Sequence, residues 1–254
     1  MLKEKYLKLK ENDLSISFLD NERISNKTLL FVHGWQADKN NLKAIFMHLN
    51  DSYRIISIDL PGFGSSSAPK KIIGSIEYAS YIKSFLDKLN IKKVCYVGHS
   101  IGGKIGIVAA VKYKDLIEKL VLIDSAGIRN HRNFDWYLKV YFYKILKFFI
   151  SKILRDDNKL KKLKENFGST DYRKAGVMRD ILVHVTNEDF SNYLSQIECP
   201  VFLYWGEKDK DTPLWMAKKM KRKIKDSALY IVKNSGHFSF LNDDRIVRII
   251  QSFY

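Results

Sequence analysis

Tyr96-Val97-Gly98-His99-Ser100-Ile101-Gly102-Gly103 decides how the rest of this chain is read. It follows a β-branched and aromatic run, Lys93-Val94-Cys95-Tyr96-Val97, which has the composition of a buried strand. It precedes Ile105-Gly106-Ile107-Val108-Ala109-Ala110-Val111, which reads as a buried helix. Ser100 therefore stands where a strand turns abruptly into a helix, inside a Gly-x-Ser-x-Gly frame. A serine thrust out on so tight a turn takes strained dihedrals, and the residues two before and two after it nearly collide. Gly98 and Gly102 answer that steric need, and Gly103 lets the helix lie close to its neighbours. The helix start aims its free N–H groups at the serine oxygen.

Working outward, the strand pattern repeats. Thr28–His33 is a continuous apolar run suited to a strand buried on both faces, and Tyr53–Asp59 reads as another buried strand. Leu14–Phe18 alternates apolar and polar, as a half-buried edge strand does. Lys119–Asp124, Val201–Trp205 and Ala228–Val232 supply three more strands. Helices are predicted over about 40–49, 76–89, 214–224 and 243–253, with Tyr78, Tyr81, Ile82 and Phe85 sharing a face of the second. Strands alternating with helices predict an α/β fold with a mainly parallel sheet and helices on both faces.

The interval 127–198 breaks the alternation. It has no strand pattern, no proline and many lysines and arginines. Leu138, Phe142, Ile145, Leu146, Phe149 and Ile153 fall on one helical face, with Lys139, Lys144, Lys147 and Lys152 off it. The expectation is a helical cap, 127–198, inserted into a core formed by 1–126 and 199–254.

The chain has 254 residues, 46% of them hydrophobic, which is ample for one large domain with an insertion. The first residues are charged throughout, and no run of about 18 uncharged apolar residues occurs, so neither a signal peptide nor a membrane span is expected. Cys95 and Cys199 read as buried, reduced thiols, and the expected location is cytoplasmic. The net charge of +16 fits either a solvated lysine coat or an anionic partner docking on the basic cap. Without a nucleic-acid-binding pattern, no nucleic acid is expected.

A serine nucleophile needs a base, an acid to orient the base, and donors for the oxyanion. His237, in Asn234-Ser235-Gly236-His237-Phe238 after the last strand, is the base candidate. Asp209, Asp124 and Asp211 compete to orient it. Asp209 ranks first because its loop, after Val201–Trp205, should abut the loop of His237. The backbone N–H groups of Ile101 and Trp35 are the expected oxyanion donors, with Gly34 permitting the turn that aims the second.

Val32-His33-Gly34-Trp35, Asp59-Leu60-Pro61-Gly62-Phe63-Gly64-Ser65-Ser66, Gly98–Gly103, Trp205-Gly206-Glu207-Lys208-Asp209 and Ser235-Gly236-His237-Phe238 occur in the order of the α/β-hydrolase superfamily. The chain resembles its lid-bearing branch, which includes small carboxylesterases, C–C bond hydrolases, cofactor-free perhydrolases and proline iminopeptidases. The resemblance spans about 14–126 and 199–254 and implies Ser100, Asp209 and His237 as a catalytic triad with no metal or cofactor. Epoxide hydrolases and haloalkane dehalogenases carry aspartate where Ser100 stands. The Trp35-Gln36 sequence departs from the triple-glycine oxyanion loop of many lipases. The function expected is a serine carboxylesterase acting on small to medium apolar acyl esters. Cleavage of C–C or amide bonds, or of acyl carrier protein esters, is the alternative within enzymes. A hydrolase-like binding or sensor protein is the alternative outside them.

Overall fold

A computed structural model describes residues 2–10, 13–49, 51–129, 143, 145–148, 150–151, 156, 158–159, 163, 174–241 and 243–254. Among them, eight strands form one sheet: β1 (Lys3–Lys8), β2 (Ser15–Asp20), β3 (Thr28–Val32), β4 (Arg54–Ile58), β5 (Val94–His99), β6 (Ile117–Ile123), β7 (Val201–Gly206) and β8 (Ser227–Val232). Their spatial order is β1-β2-β4-β3-β5-β6-β7-β8. β1 and β2 pair antiparallel, as do β2 and β4, and every later pairing is parallel. This is the α/β-hydrolase fold, with its mainly parallel sheet.

The helices are α1 (Lys43–Phe46), α2 (Ser75–Lys88), α3 (Ile101–Lys112), α4 (Arg179–Asn187), α5 (Leu214–Lys223) and α6 (Arg245–Phe253). Side chains alternate across a strand, so each strand feeds two packing layers. Leu29, Phe31, Ile55, Val97, Val121 and Ile123 cluster with Ile45 and Phe46 of α1 and with Ile246 and Ile250 of α6. On the opposite parity, Tyr96 and Leu120 lie against Gly106 of α3, and Phe18 meets Phe85 of α2 edge-on at 4.9 Å. The expected buried face of α2, Tyr78, Tyr81, Ile82 and Phe85, is buried. All five residues of β3 are buried, and each fully buried aliphatic among them contributes about 1.5–3 kcal/mol.

Two local expectations are corrected. β2 is neither an edge nor half-buried: β1 covers it, and Ser17 is as buried as Phe18. Ser17 is tolerated there because its N–H donates to Ser66 Oγ at 2.8 Å and its hydroxyl to Glu4. β1 itself escaped the reading because its sequence, KEKYLK, is two-thirds charged. The helix expected over about 40–49 is regular only at Lys43–Phe46, with turns on either side.

The chain divides into two compact units, 1–129 with 184–254, and 130–183. The second is narrower than the insertion expected over 127–198. Residues after 183 are held within the first unit by Lys104 Nζ donating to the Val185 carbonyl at 2.6 Å. Two more bonds do the same: Ser75 N–H to Glu188 at 2.9 Å, and Phe190 N–H to the Gly127 carbonyl at 2.9 Å. Of the expected apolar stripe, Leu138, Phe142, Phe149 and Ile153 lie outside the described residues, as do Lys139, Lys144 and Lys152. Both cysteines are free thiols. Among the described residues no helix is long and apolar enough to cross a membrane.

Candidate active site

Because β3, β5, β6, β7 and β8 run parallel, their C-terminal ends open on one side of the sheet. The residues just past those ends are His33 to Trp35, Ser100, Asp124, Asp209 and His237. The candidate nucleophile, the candidate base and the first-ranked acid therefore each follow the end of a strand.

Ser100 has φ 51° and ψ −115°, far from any comfortable well for a residue with a side chain. The surrounding bonds hold it there. Its N–H donates to the Ile123 carbonyl at 3.0 Å, and its carbonyl accepts from Ala126 at 3.0 Å and Lys104 at 3.2 Å. The predicted near-collision is present: a Cβ on Gly98 would lie 2.6 Å from the Gly102 carbonyl oxygen.

The hydroxyl of Ser100 lies 3.0 Å from His237 Nε2, and His237 Nδ1 lies 2.9 Å from Asp209 Oδ2. With an acceptor at Asp209, Nδ1 carries the proton and Nε2 is left as the acceptor for the serine O–H. Asp209 is held in turn by the Asp211 and Thr212 N–H groups on Oδ1, at 2.8 and 3.0 Å, and by the Thr212 hydroxyl on Oδ2 at 2.7 Å.

The three competing aspartates separate clearly. Asp211 is exposed and offers Asp209 only its N–H. Asp124 is buried, but its carboxylate accepts from Gly206 N–H at 2.7 Å, Ser239 N–H at 3.0 Å and Ser239 Oγ at 2.6 Å. It joins the ends of β6 and β7 to the chain after His237 and leaves the imidazole to Asp209. Burial raises its pKa to about 6 despite those three donors. Burial also acts to raise Asp209, but there the bonds from His237 and Thr212 outweigh it, and its pKa is lowered. For His237 burial acts downward, and the bond and charge of Asp209 prevail, so its pKa is raised.

The expected oxyanion loop is built around a second histidine. Leu60 N–H donates to His33 Nε2 at 3.0 Å, so His33 Nδ1 carries the proton and donates to the Gly34 carbonyl at 2.7 Å. A trans peptide points its N–H opposite its carbonyl. The Trp35 N–H is thereby turned away from the His33 ring, while Gly34 borders the serine: a Cβ there would come 3.2 Å from Ser100 Cβ. Ile101 is the first residue of α3, where N–H groups have no intrahelical acceptor. The loop is anchored from below by Asp59, which accepts from Lys39 N–H at 2.6 Å, Lys39 Nζ at 2.9 Å and Ser65 N–H at 2.8 Å.

Sequence reasoning missed Thr212, His33 as a loop anchor, and Ser239. Thr212 had a readable signal: it stands three residues after Asp209 and before Pro213, where an aspartate commonly caps its own turn. Asp209, Asp211 and His237 could each offer one cation ligand within 4.8 Å of the others. A cation there would compete with the bond between Asp209 and His237.

Comparison with known proteins agrees with this architecture. Residues 27–148 match the family model described as the alpha/beta hydrolase fold. An uncharacterized hydrolase of Bacillus subtilis is 27% identical over 227 residues, covering 83% of each chain. A pimeloyl-[acyl-carrier protein] methyl ester esterase of Wigglesworthia glossinidia brevipalpis is 26% identical over 233 residues, covering 84% of this chain and 88% of its own. A crystal structure of a serine hydrolase involved in carbazole degradation superposes with a TM-score of 0.75 at 23% identity, covering 100% of this chain and 98% of its own. The fold, the family model and these relatives agree in what the chain is similar to: it has the α/β-hydrolase fold, and residues 27–148, just under half of its length, match the model of that family.

Proposed function

We propose that this protein is a serine hydrolase that cleaves carboxylic esters through an acyl-enzyme on Ser100. The observation that carries the reading is the unbroken line of hydrogen bonds from Ser100 Oγ through His237 to Asp209. Ser100 Oγ attacks the ester carbonyl while His237 Nε2 takes its proton. Asp209 fixes the Nδ1–H tautomer and stabilises the imidazolium that forms. The N–H groups of Trp35 and Ile101 receive the oxyanion of the tetrahedral intermediate. The intermediate collapses, the ester C–O bond breaks, and the alkoxide leaves with the proton held on Nε2. Water then attacks the acyl-enzyme with His237 again as base, releasing the acid and restoring Ser100.

The choice of ester over other bonds is supported by the methyl ester esterases among the relatives. Those relatives also favour an acyl chain presented on a carrier protein, and the net charge of +16 would suit a carrier that is anionic. In this reading substrate choice is assigned to the insertion over 127–198, because the core loops treat every acyl group alike. Hydrolysis of p-nitrophenyl acetate tests the proposal. Ser100→Ala should lose at least about 10⁴-fold in kcat with the fold intact. Near-native turnover by that variant would overturn it.

A further inference from the structure

His99, the residue before the nucleophile, is absent from the reaction steps just described. It is the last residue of β5 and 2% exposed. Its Nε2 lies 2.8 Å from the main-chain oxygen of His237. A carbonyl only accepts, so Nε2 carries the proton and donates it, which leaves Nδ1 bare. Nδ1 has no hydrogen-bond partner and faces Gly34 closely: a Cβ added there would lie 2.9 Å away. A bare acceptor against a glycine is a smaller burden than an orphaned donor, and it suits the neutral ring that burial enforces by pushing the pKa to about 3. The ring is further confined by the rings of His237 at 4.9 Å and of Phe238 and Phe240 at 5.2 Å each.

We propose that His99 is a positioning residue: by donating Nε2–H to the His237 carbonyl, it ties the main chain of the base to the strand that carries the nucleophile. The inference rests on reading His237 as the base. Asp209 fixes the imidazole of His237 from the side-chain end, and His99 fixes its backbone end. The distance of 3.0 Å from Ser100 to His237 is thereby set by a neighbour one residue from Ser100 itself. Through its other edge the same ring rests on Gly34, so the base loop and the oxyanion loop share one spacer. Proton transfer tolerates little error, and a misplacement of about 1 Å costs on the order of 10²-fold in rate.

Two substitutions separate positioning from packing. His99→Leu keeps bulk and removes the donor; His99→Gln places an amide N–H within similar reach. His99→Leu should lower kcat for p-nitrophenyl acetate by about 10- to 100-fold with little change in KM, and His99→Gln should recover most of it. Histidine ¹⁵N NMR supplies a readout that needs no turnover. The wild type should show His99 as the neutral Nε2–H tautomer, and the Nδ1–H resonance of His237 should shift or broaden in His99→Leu and return in His99→Gln. A wild-type His99 protonated on Nδ1 would overturn the proposal even if neither variant folds. Equal losses in both variants, or an unperturbed His237 resonance in His99→Leu, would overturn it too. An inert wild-type protein whose His237 resonance still responds would sink the hydrolase reading and leave the positioning role standing.

Discussion

Two carboxylates stand at the ends of adjacent strands, Asp124 after β6 and Asp209 after β7, and both are buried. Asp124 accepts three hydrogen bonds from Gly206 and Ser239, yet burial still pushes its pKa up to about 6. Asp209 accepts from Asp211, Thr212 and His237, and its pKa is lowered. Burial acts upward on both; the imidazole is what reverses it at Asp209, while the charge of Asp209 adds to it at Asp124. A neighbour that can become a cation favours the carboxylate in a way that neutral N–H and O–H donors do not match. Asp124 knits these loops together, whereas Asp209 is electrically coupled to the His237 imidazole. Either aspartate satisfies the order Ser, Asp, His in sequence, so the contrast comes from which one the loop of His237 meets.

The largest test of that contrast is replacement of each acid by its amide. Asp209→Asn should lower kcat by about 10³–10⁴-fold by leaving His237 in the wrong tautomer. Asp124→Asn should change kcat by less than about tenfold while costing stability, about 1–3 kcal/mol for a buried donor left unpaired, measured by denaturant unfolding. The reverse ranking would move the orienting role to Asp124. Thr212→Val removes the hydroxyl that donates to Asp209 and leaves shape nearly unchanged. It should cost roughly one hydrogen bond, about tenfold in kcat/KM.

A smaller effect concerns pH. His237 must be neutral to act as base, and its pKa is raised. The acid limb of kcat/KM should therefore fall at a pH above the ordinary histidine value of about 6.5, and Thr212→Val, by loosening Asp209, should move it downward. The smallest effect is on stability. Asp124 holds its proton more tightly folded than unfolded, so its contribution falls as pH rises from its ordinary 3.8 towards about 6. Asp209, with a lowered pKa, contributes stability above its ordinary value that is lost as pH falls through its folded one. Melting temperature against pH should thus decline less between about 4 and 6 in Asp124→Asn than in the wild type. An unchanged slope would mean Asp124 titrates as an ordinary carboxyl.

Much of this was legible in the residues. Continuous apolar runs marked strands that the fold buries on both faces, and the glycines around Ser100 marked a turn that only small residues survive. The candidate site was legible because each chemical group follows a strand end. What escaped reading depends on contacts between distant segments. β1 is a strand because β2 offers it an edge, not because KEKYLK favours one. His33 and His99 look alike in sequence, each ending a buried strand. Only the loops that meet them show that one turns the Gly34 peptide and the other holds the His237 carbonyl.

The central claim is that Ser100 carries the acyl group, and intact-protein mass spectrometry after reaction with a fluorophosphonate tests it most directly. A single adduct should form, map to the peptide containing Ser100, vanish in Ser100→Ala, form much more slowly in Asp209→Asn, and form at nearly the wild-type rate in Asp124→Asn. An adduct on any other residue, or ester turnover that survives in Ser100→Ala, would contradict the account.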